Sequence, residues 1–378
     1  MESSEYSLRF DVQKQMESVP RRWPFKAFDY PKGNIRPLFY EGPQWKGKET
    51  RIFAWIGLPE GASRRHPVPG VVLIHGGGGT ALANWVRLWN EMGYAAISMD
   101  TCGGIPSWND SFAYRECWPR HKWSGPKGWG CYSQAELPAN EQWMYHAVAS
   151  VLRGTSLLRS LPEVDAAKIG ATGISWGGFL TCAVACLTDV FRFAIPVYGC
   201  GYRPGAPSED RLIRLWEQMW NPADFMKNVT TPMLFLSDAE DVFELPLWQK
   251  SVKDVQGMVR RSLRIRYVHD HTNCWKSKTI PDFAHALLNN LPLPDLTSPV
   301  LDGNSLSCQW KSEGRGIARV QLLATRASGL WNDRYWREYP VVCNGTTLSG
   351  KLPEHTTAAF FSVVDDCGST WSSDIFVK

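Results

Sequence analysis

The pentapeptide Gly173-Ile174-Ser175-Trp176-Gly177 sets one hydroxyl between two glycines, after the apolar run KIGATGI and ahead of the helical stretch WGGFLTCAVACLT. A strand that turns directly into a helix leaves little room at the corner. Bulky residues two positions either side of the serine would clash, which accounts for the glycines, and the strained turn holds the serine oxygen clear of the sheet edge. The new helix points its first N–H groups at the same spot. A hydroxyl placed in this way can attack a carbonyl and have the resulting negative charge stabilised. The plainer alternative is a serine that only caps the helix. A second segment argues against that alternative: VVLI ends in His75-Gly76-Gly77-Gly78-Gly79. Four glycines let the backbone approach a substrate and expose N–H groups, as an oxyanion loop requires. A phosphate loop would need a following Lys-Ser/Thr, which is missing. The oxyanion donors are then N–H of Gly77 or Gly78 together with N–H of Trp176, and His75 is read as structural.

Such a serine needs a base, and the base needs an orienting carboxylate. TPMLFLSDAED (231–241) reads as a strand followed by an acidic loop holding Asp238, Glu240 and Asp241. Within residues 35–295 three histidines follow it, His269, His271 and His285. RIRYVHD (264–270) reads as a strand, with His269 on the strand and His271 in the loop beyond it. His285 falls inside PDFAHALLNNLP, a helix, and is read as structural.

The elements that must position these groups alternate. Apolar β-rich runs at 35–42, 51–59, 70–76, 94–100, 168–175, 191–199, 231–238 and 264–270 are mostly separated by helical stretches such as 83–93, 141–161 and 176–188. That pattern predicts βαβ units and a mostly parallel sheet. The first two runs alternate more regularly and are expected to be antiparallel. Residues 1–34 are proline-spotted and read as an irregular lead-in. Residues 35–295 form the predicted α/β catalytic domain. After the linker-like PLPDLTSP the texture becomes short alternating strands and turns, which predicts a small β-sandwich over 300–378.

The chain has 378 residues, 41 basic and 37 acidic, with a net charge of +4. That balance argues against nucleic-acid or membrane-surface partners, and the sequence has no apolar run long enough for a bilayer. MESSEYSLRFDV does not read as a signal peptide, so the expectation is a cytoplasmic protein unless a leader has been removed. Ten cysteines include no CxxC pair and no clustered Cys/His spacing, so no zinc site is expected, and nothing calls for any metal or organic cofactor. Cys117 with Cys131, and Cys343 with Cys367, are each open as disulfide or free thiols.

The segments 75–104, 163–181, 193–201 and 231–241 resemble bacterial acetyl xylan esterases and related dienelactone-hydrolase-like proteins of the α/β-hydrolase superfamily. The resemblance spans about residues 50–290. It implies an α/β-hydrolase fold with a mostly parallel central sheet flanked by helices, and a Ser–acid–His order along the chain. Aligned to that pattern the acid falls on Asp241, with Glu240 and then Asp238 as alternatives, since Asp238 stands where glycine is common. The triad histidine usually follows the last strand, which selects His271. The activity implied is serine ester hydrolysis, with a carbohydrate such as acetylated xylan as substrate. The insertion 105–138 supports a sugar substrate on its own account. It holds Trp108, Phe112, Tyr114, Trp118, Trp123, Trp129 and Tyr132, and a long aromatic loop after a strand's C-terminal end should overhang the site. Trp108, Trp118, Trp123 and Trp129 are the sugar-binding candidates, although such rings also serve as a core for their own loop. Three readings compete: a prolyl-oligopeptidase-type peptidase, an esterase for glucuronate esters using Arg115, Arg120, His121 and Lys122, and an inactive carbohydrate-binding protein. The partner expected is a small-molecule or oligosaccharide ester, and the oligomeric state is open.

Overall fold

The chain is described from a computed structural model over residues 11–27, 33–106, 119–205 and 207–378. In chain order the first half runs α1 (Val12–Met16), β1 (Arg22–Pro24), β2 (Asn34–Glu41), β3 (Arg51–Leu58), β4 (Val68–Ile74), α2 (Ala83–Glu91), β5 (Ala95–Met99), α3 (Trp143–Arg159), β6 (Val164–Ile174) and α4 (Trp176–Leu187). It continues with β7 (Phe191–Val197), α5 (Arg211–Trp220), β8 (Met233–Asp238), α6 (Leu245–Asp254), β9 (Val259–Arg264), α7 (His271–Lys276) and α8 (Thr279–Leu288). These strands make one nine-stranded sheet in the order β1-β2-β3-β5-β4-β6-β7-β8-β9. β1, β2, β3 and β5 pair antiparallel, and β5-β4-β6-β7-β8-β9 are parallel.

The central strands are apolar on both faces because both faces are covered. Val72 and Ile74 point into a core shared with α3, α4, α5 and α6, whereas Val71 and Leu73 point into a second core shared with α2 and α8. The lead-in is less irregular than its prolines suggest. Gln15 is buried on α1 and ties to α3 through Arg153, whose Nε donates to the Gln15 side-chain oxygen at 2.8 Å.

The last strand of the large sheet lies earlier than its sequence implies. β9 is the arginine-rich VRRSLR, and the more β-like IRYVH that follows is a turn. Arg266 has a left-handed backbone (φ 53°), which ends the strand direction. Ile265 and Tyr267 are apolar because they pack on the cores from that turn.

The C-terminal part is two antiparallel sheets. β10 (Asp295–Leu296), β11 (Val300–Asp302), β12 (Ser305–Lys311) and β13 (Ile317–Thr325) are followed by β14 (Arg337–Tyr339), β15 (Val342–Asn344) and β16 (Thr347–Lys351). β17 (Ala358–Asp365), β18 (Thr370–Ser372) and β19 (Phe376–Val377) complete the chain. One sheet runs β10-β12-β16-β15 with β11 beside β12, and the other runs β14-β13-β17-β18 with β19 beside β17. Leu306 and Leu348 of the first face Leu322 and Phe361 of the second, while Leu323 and Phe360 on the second sheet's other face join the core of the large domain. Hydrogen bonds close that contact: Leu263 N–H donates to Ser372 Oγ at 3.0 Å, and Gln249 Nε2 donates to the Ile375 carbonyl at 2.9 Å.

Cys131, Cys343 and Cys367 carry free thiols, so neither sulfur pair considered from the sequence forms a bridge between described residues; Cys117 lies outside the described residues. Among the described residues, no helix is long and apolar enough to cross a membrane.

Candidate active site

Ser175 links β6 to α4 with φ 60° and ψ −120°, a conformation that L-residues rarely hold and that costs about 1–3 kcal/mol. The surrounding backbone enforces it. Ser175 N–H donates to the Val197 carbonyl at 2.8 Å, and its own carbonyl accepts from Phe179 N–H at 3.0 Å. The glycines answer to close approach: a Cβ on Gly173 would lie 2.1 Å from the Gly177 oxygen, and one on Gly177 would lie 2.0 Å from the Ile74 oxygen. The elbow therefore fits only against the end of β4, which brings Ser175 beside the glycine loop.

That loop is held by a buried polar network. His75 Nδ1–H donates to the Gly76 carbonyl at 2.7 Å, so its Nε2 accepts from Thr101 N–H at 2.9 Å. Burial lowers the His75 pKa and keeps the ring neutral, as those two bonds require. Asp100, at the end of β5, accepts from Thr80 Oγ1 at 2.6 Å and from the N–H groups of Cys102 and Gly104 at 2.8 Å each. Both ring nitrogens of His75 are thus taken up by backbone groups. Asp100 was not singled out from the sequence, although its place after a strand's C-terminal end was a signal. A Cβ on Gly77 would meet the rings of Trp129 and Trp176 at 2.8 Å each, so Gly77 is enclosed by two indoles. Trp176 opens α4, where its N–H belongs to the helix's first turn and has no intrahelical acceptor.

The acidic loop after β8 brings Asp241 to a histidine, and that histidine is His269. Its Nδ1 lies 2.7 Å from Asp241 Oδ2, and the carboxylate is nearly sealed from solvent. Asp241 Oδ1 accepts from Phe243 N–H at 3.0 Å, so both oxygens are engaged. The imidazole stacks on Tyr198 with centroids 4.6 Å apart and planes 23° apart. Tyr198 directly follows β7, has a φ of 49°, and donates from Oη to the Val268 carbonyl at 2.9 Å. It thus links the strand beside Ser175 to the turn that carries His269.

Asp238 fastens the two loops together. Its Oδ1 accepts from Glu240 N–H at 2.9 Å and its Oδ2 accepts from Tyr267 N–H. Burial lifts its carboxyl to about 6. Glu240 is half-buried and its side chain has no hydrogen bond to a histidine among the described residues.

The expectation for His271 is corrected here. His271 begins α7 and sits between Trp85 and Trp275, at centroid distances of 6.3 and 5.7 Å, with no bond to Asp241. Its buried Nε2 has no hydrogen-bond partner, and burial pushes its pKa down to about 4. Ending β9 at Arg264 is what exchanges the two histidines, because His269 then belongs to the loop after the last strand. His285 is exposed on α8.

Of the four sugar-binding candidates, Trp129 lies over the glycine loop and is 38% exposed. Trp123 is an anchor: Arg51 is sandwiched between it and Trp23, with the guanidinium carbon 4.2 and 3.8 Å from the two rings. Trp108 and Trp118 lie outside the described residues, as do Phe112, Tyr114 and Arg115. Arg120 donates to the Cys102 and Gly125 carbonyls, and His121 is buried with its pKa pushed down to about 4. Neither is an available anion-binding group. Under the site, Tyr132, Trp143, Trp176, Phe179 and Trp216 form a continuous aromatic cluster with centroids 5.2–6.3 Å apart.

Residues 13–203, just over half of the chain, match the acetyl xylan esterase (AXE1) family. Among solved structures, acetyl xylan esterase from Paenibacillus sp. R4 superposes with a TM-score of 0.58 at 19% identity, over 75% of this chain and 98% of that protein. Acetyl xylan esterase 1 from Thermoanaerobacterium sp. JW/SL YS485 gives 0.56 at 16% identity, over 76% and 93%. A curated relative, dipeptidyl-peptidase 5 of Schizosaccharomyces pombe, is 26% identical over 242 residues; the match spans 55% of this chain but only 30% of that protein. The chain belongs to the acetyl xylan esterase family and has the α/β-hydrolase fold.

Proposed function

We propose that the protein is a serine esterase that removes acetyl groups from a carbohydrate, with Ser175 as nucleophile, His269 as base and Asp241 as its orienting carboxylate. The observation that carries the reading is the Asp241–His269 pair on loops at the same sheet edge as the strained Ser175 elbow. With Nδ1–H given to Asp241, His269 Nε2 is left to take the Ser175 proton as Oγ bonds to the ester carbonyl carbon. The oxyanion is met by N–H of Gly77 or Gly78 and of Trp176. The C–O bond then breaks as His269 gives its proton to the departing sugar oxygen, which leaves as the free hydroxyl, and water repeats the cycle to free acetate and Ser175. Trp129, half-exposed over the glycine loop, is a surface for the apolar face of a sugar ring.

The test is hydrolysis of p-nitrophenyl acetate and of acetylated xylo-oligosaccharides by the protein and by Ser175→Ala. Turnover of both substrates that vanishes in the variant supports the reading. Equal rates in both proteins would remove Ser175 from the mechanism. The similarity to dipeptidyl-peptidase 5 favours a second reading, peptide hydrolysis by the same residues; faster turnover of a dipeptidyl anilide than of any acetyl ester would select it.

A further inference from the structure

Next to the Asp241–His269 pair, the C-terminal sheets present a basic and aromatic surface that ester cleavage itself does not use. Arg266 is exposed and stands three residues before His269, within about 10 Å along the chain. Its Nη2 donates to Tyr335 Oη at 3.3 Å and to the Trp336 carbonyl at 3.4 Å. Tyr335 is 59% exposed, and the guanidinium carbons of Arg266 and Arg337 each lie 5.5 Å from its ring centroid. Arg334 lies 3.5 Å over the ring of Trp331. The segment is rigidly held, since Trp336 is fully buried with its ring 5.2 Å from that of Phe360. Val242 and Val268, adjacent in sequence to Asp241 and His269, are 52% and 63% exposed.

Among the described residues, none of these three arginines has a carboxylate within ion-pair distance; Glu244 acts on Arg334 only through its field. Arg334 spends Nε and Nη2 on the Gly329 carbonyl, at 3.4 and 3.1 Å, and Arg266 spends Nη2 on Tyr335 and Trp336. Each keeps Nη1 as a charged donor to a carboxylate, and among the described residues Arg337 makes no side-chain hydrogen bond that would occupy its fork. The aromatic faces offer large, rigid apolar area of the kind a sugar ring covers.

We propose that Arg266, Arg334 and Arg337, with Trp331 and Tyr335, form a subsite for a carboxylate-bearing sugar, a uronic acid, in the glycan whose ester is cleaved at Ser175. This rests on the reading that the alcohol part of the substrate is a carbohydrate. It gives the C-terminal sheets a part in choosing the substrate.

The experiment compares kcat/KM on acetylated xylo-oligosaccharides with and without uronic acid branches, for the protein and for Arg266→Ala/Arg334→Ala, with the single charge reversal Arg337→Glu as a second variant. The expected result is a preference of about tenfold for the acidic substrate, expressed in KM, that the variants lose and that shrinks as salt is raised. Absence of the preference, or its survival in both variants, overturns the proposal. In parallel, a deacetylated uronate-bearing oligosaccharide is titrated onto Ser175→Ala with the arginines intact and replaced. Arginine-dependent binding without hydrolysis of any acetyl ester upholds the subsite and fails the esterase reading. Hydrolysis with no acidic preference does the reverse. Tighter binding of an acidic peptide than of the oligosaccharide also overturns the proposal.

Discussion

At the scale of single residues, the two histidines flanking Asp270 separate by environment. His269 keeps a carboxylate partner and partial exposure, whereas His271 is enclosed by indoles. His269→Ala should lower kcat by roughly 10³-fold or more, the loss that removal of the proposed base predicts. His271→Ala should leave kcat within about tenfold and lower the denaturation midpoint instead; steady-state kinetics and urea melts on both variants check this. Stability should also depend on pH. His121, His146 and His271 each have a folded pKa lowered to about 4 by burial, against an ordinary value of 6.5. Between these values the unfolded chain holds more protons, so stability is present above about pH 6.5 and is lost as the pH falls toward 4, by at most roughly 3 kcal/mol per ring. Asp238, raised to about 6 by burial, works with the opposite sign, because its native form holds the extra proton. Three groups outweigh one, and urea unfolding at pH 7 and pH 5 should show the lower midpoint at pH 5.

At the scale of elements, the site depends on how closely β4, the glycine loop and α4 approach one another. Gly177→Ala would drive a methyl into the Ile74 and His75 carbonyls, at 2.0 and 2.7 Å. Backbone atoms at the centre of the sheet cannot retreat, so this change should cost more than about 3 kcal/mol and yield little folded protein, readable as a large fall in Tm. Gly77→Ala meets two indole rings rather than backbone. It should fold, with kcat reduced by about 10²-fold because Trp129 or the loop must shift away from the oxyanion position. Comparing Tm and kcat for the two variants distinguishes a packing role from a catalytic one.

At the scale of the molecule, the C-terminal sheets and the α/β layers share both cores and a half-buried ionic joint. Arg315 donates from Nη2 to Asp282 Oδ1 on α8 at 2.9 Å and from Nη1 to Asp365 Oδ2 on β17 at 3.1 Å. Trp371 Nε1–H and Ser369 N–H complete the Asp365 shell, each at 2.8 Å. Removing the cation leaves Asp365 to its N–H donors and Asp282 to the Ser369 hydroxyl, so Arg315→Ala should cost about 1.5–3 kcal/mol, the loss of charge-assisted hydrogen bonds. Because the sheets bury apolar side chains against β9 and α6, unfolding should remain one transition that moves down in temperature; a separate early transition in calorimetry would show that the two parts melt independently.

How much of this was legible in the sequence depended on the range of the interactions. Ser175 with its glycines, the glycine loop after β4, the α/β order and the all-β character of the C-terminal residues are local patterns. Each follows from sterics or periodicity within a few residues, and each could be read directly. The end of β9 could not. Ile265, Tyr267 and Val268 have strand-like residue types, yet the turn at Arg266 is imposed by contacts with Tyr198, Asp238 and the C-terminal sheets, which lie far away in sequence. The same holds for Trp123, whose partner Arg51 opens the distant strand β3, and for the arginines around Tyr335, which come together only when the turn after β9 meets the chain entering β14. The sequence alone determined the glycine-flanked Ser175 elbow and the fold that presents it. The tertiary structure decided which histidine stands beside Asp241, because that pairing depends on where a strand stops, and the stop is set by packing between distant segments.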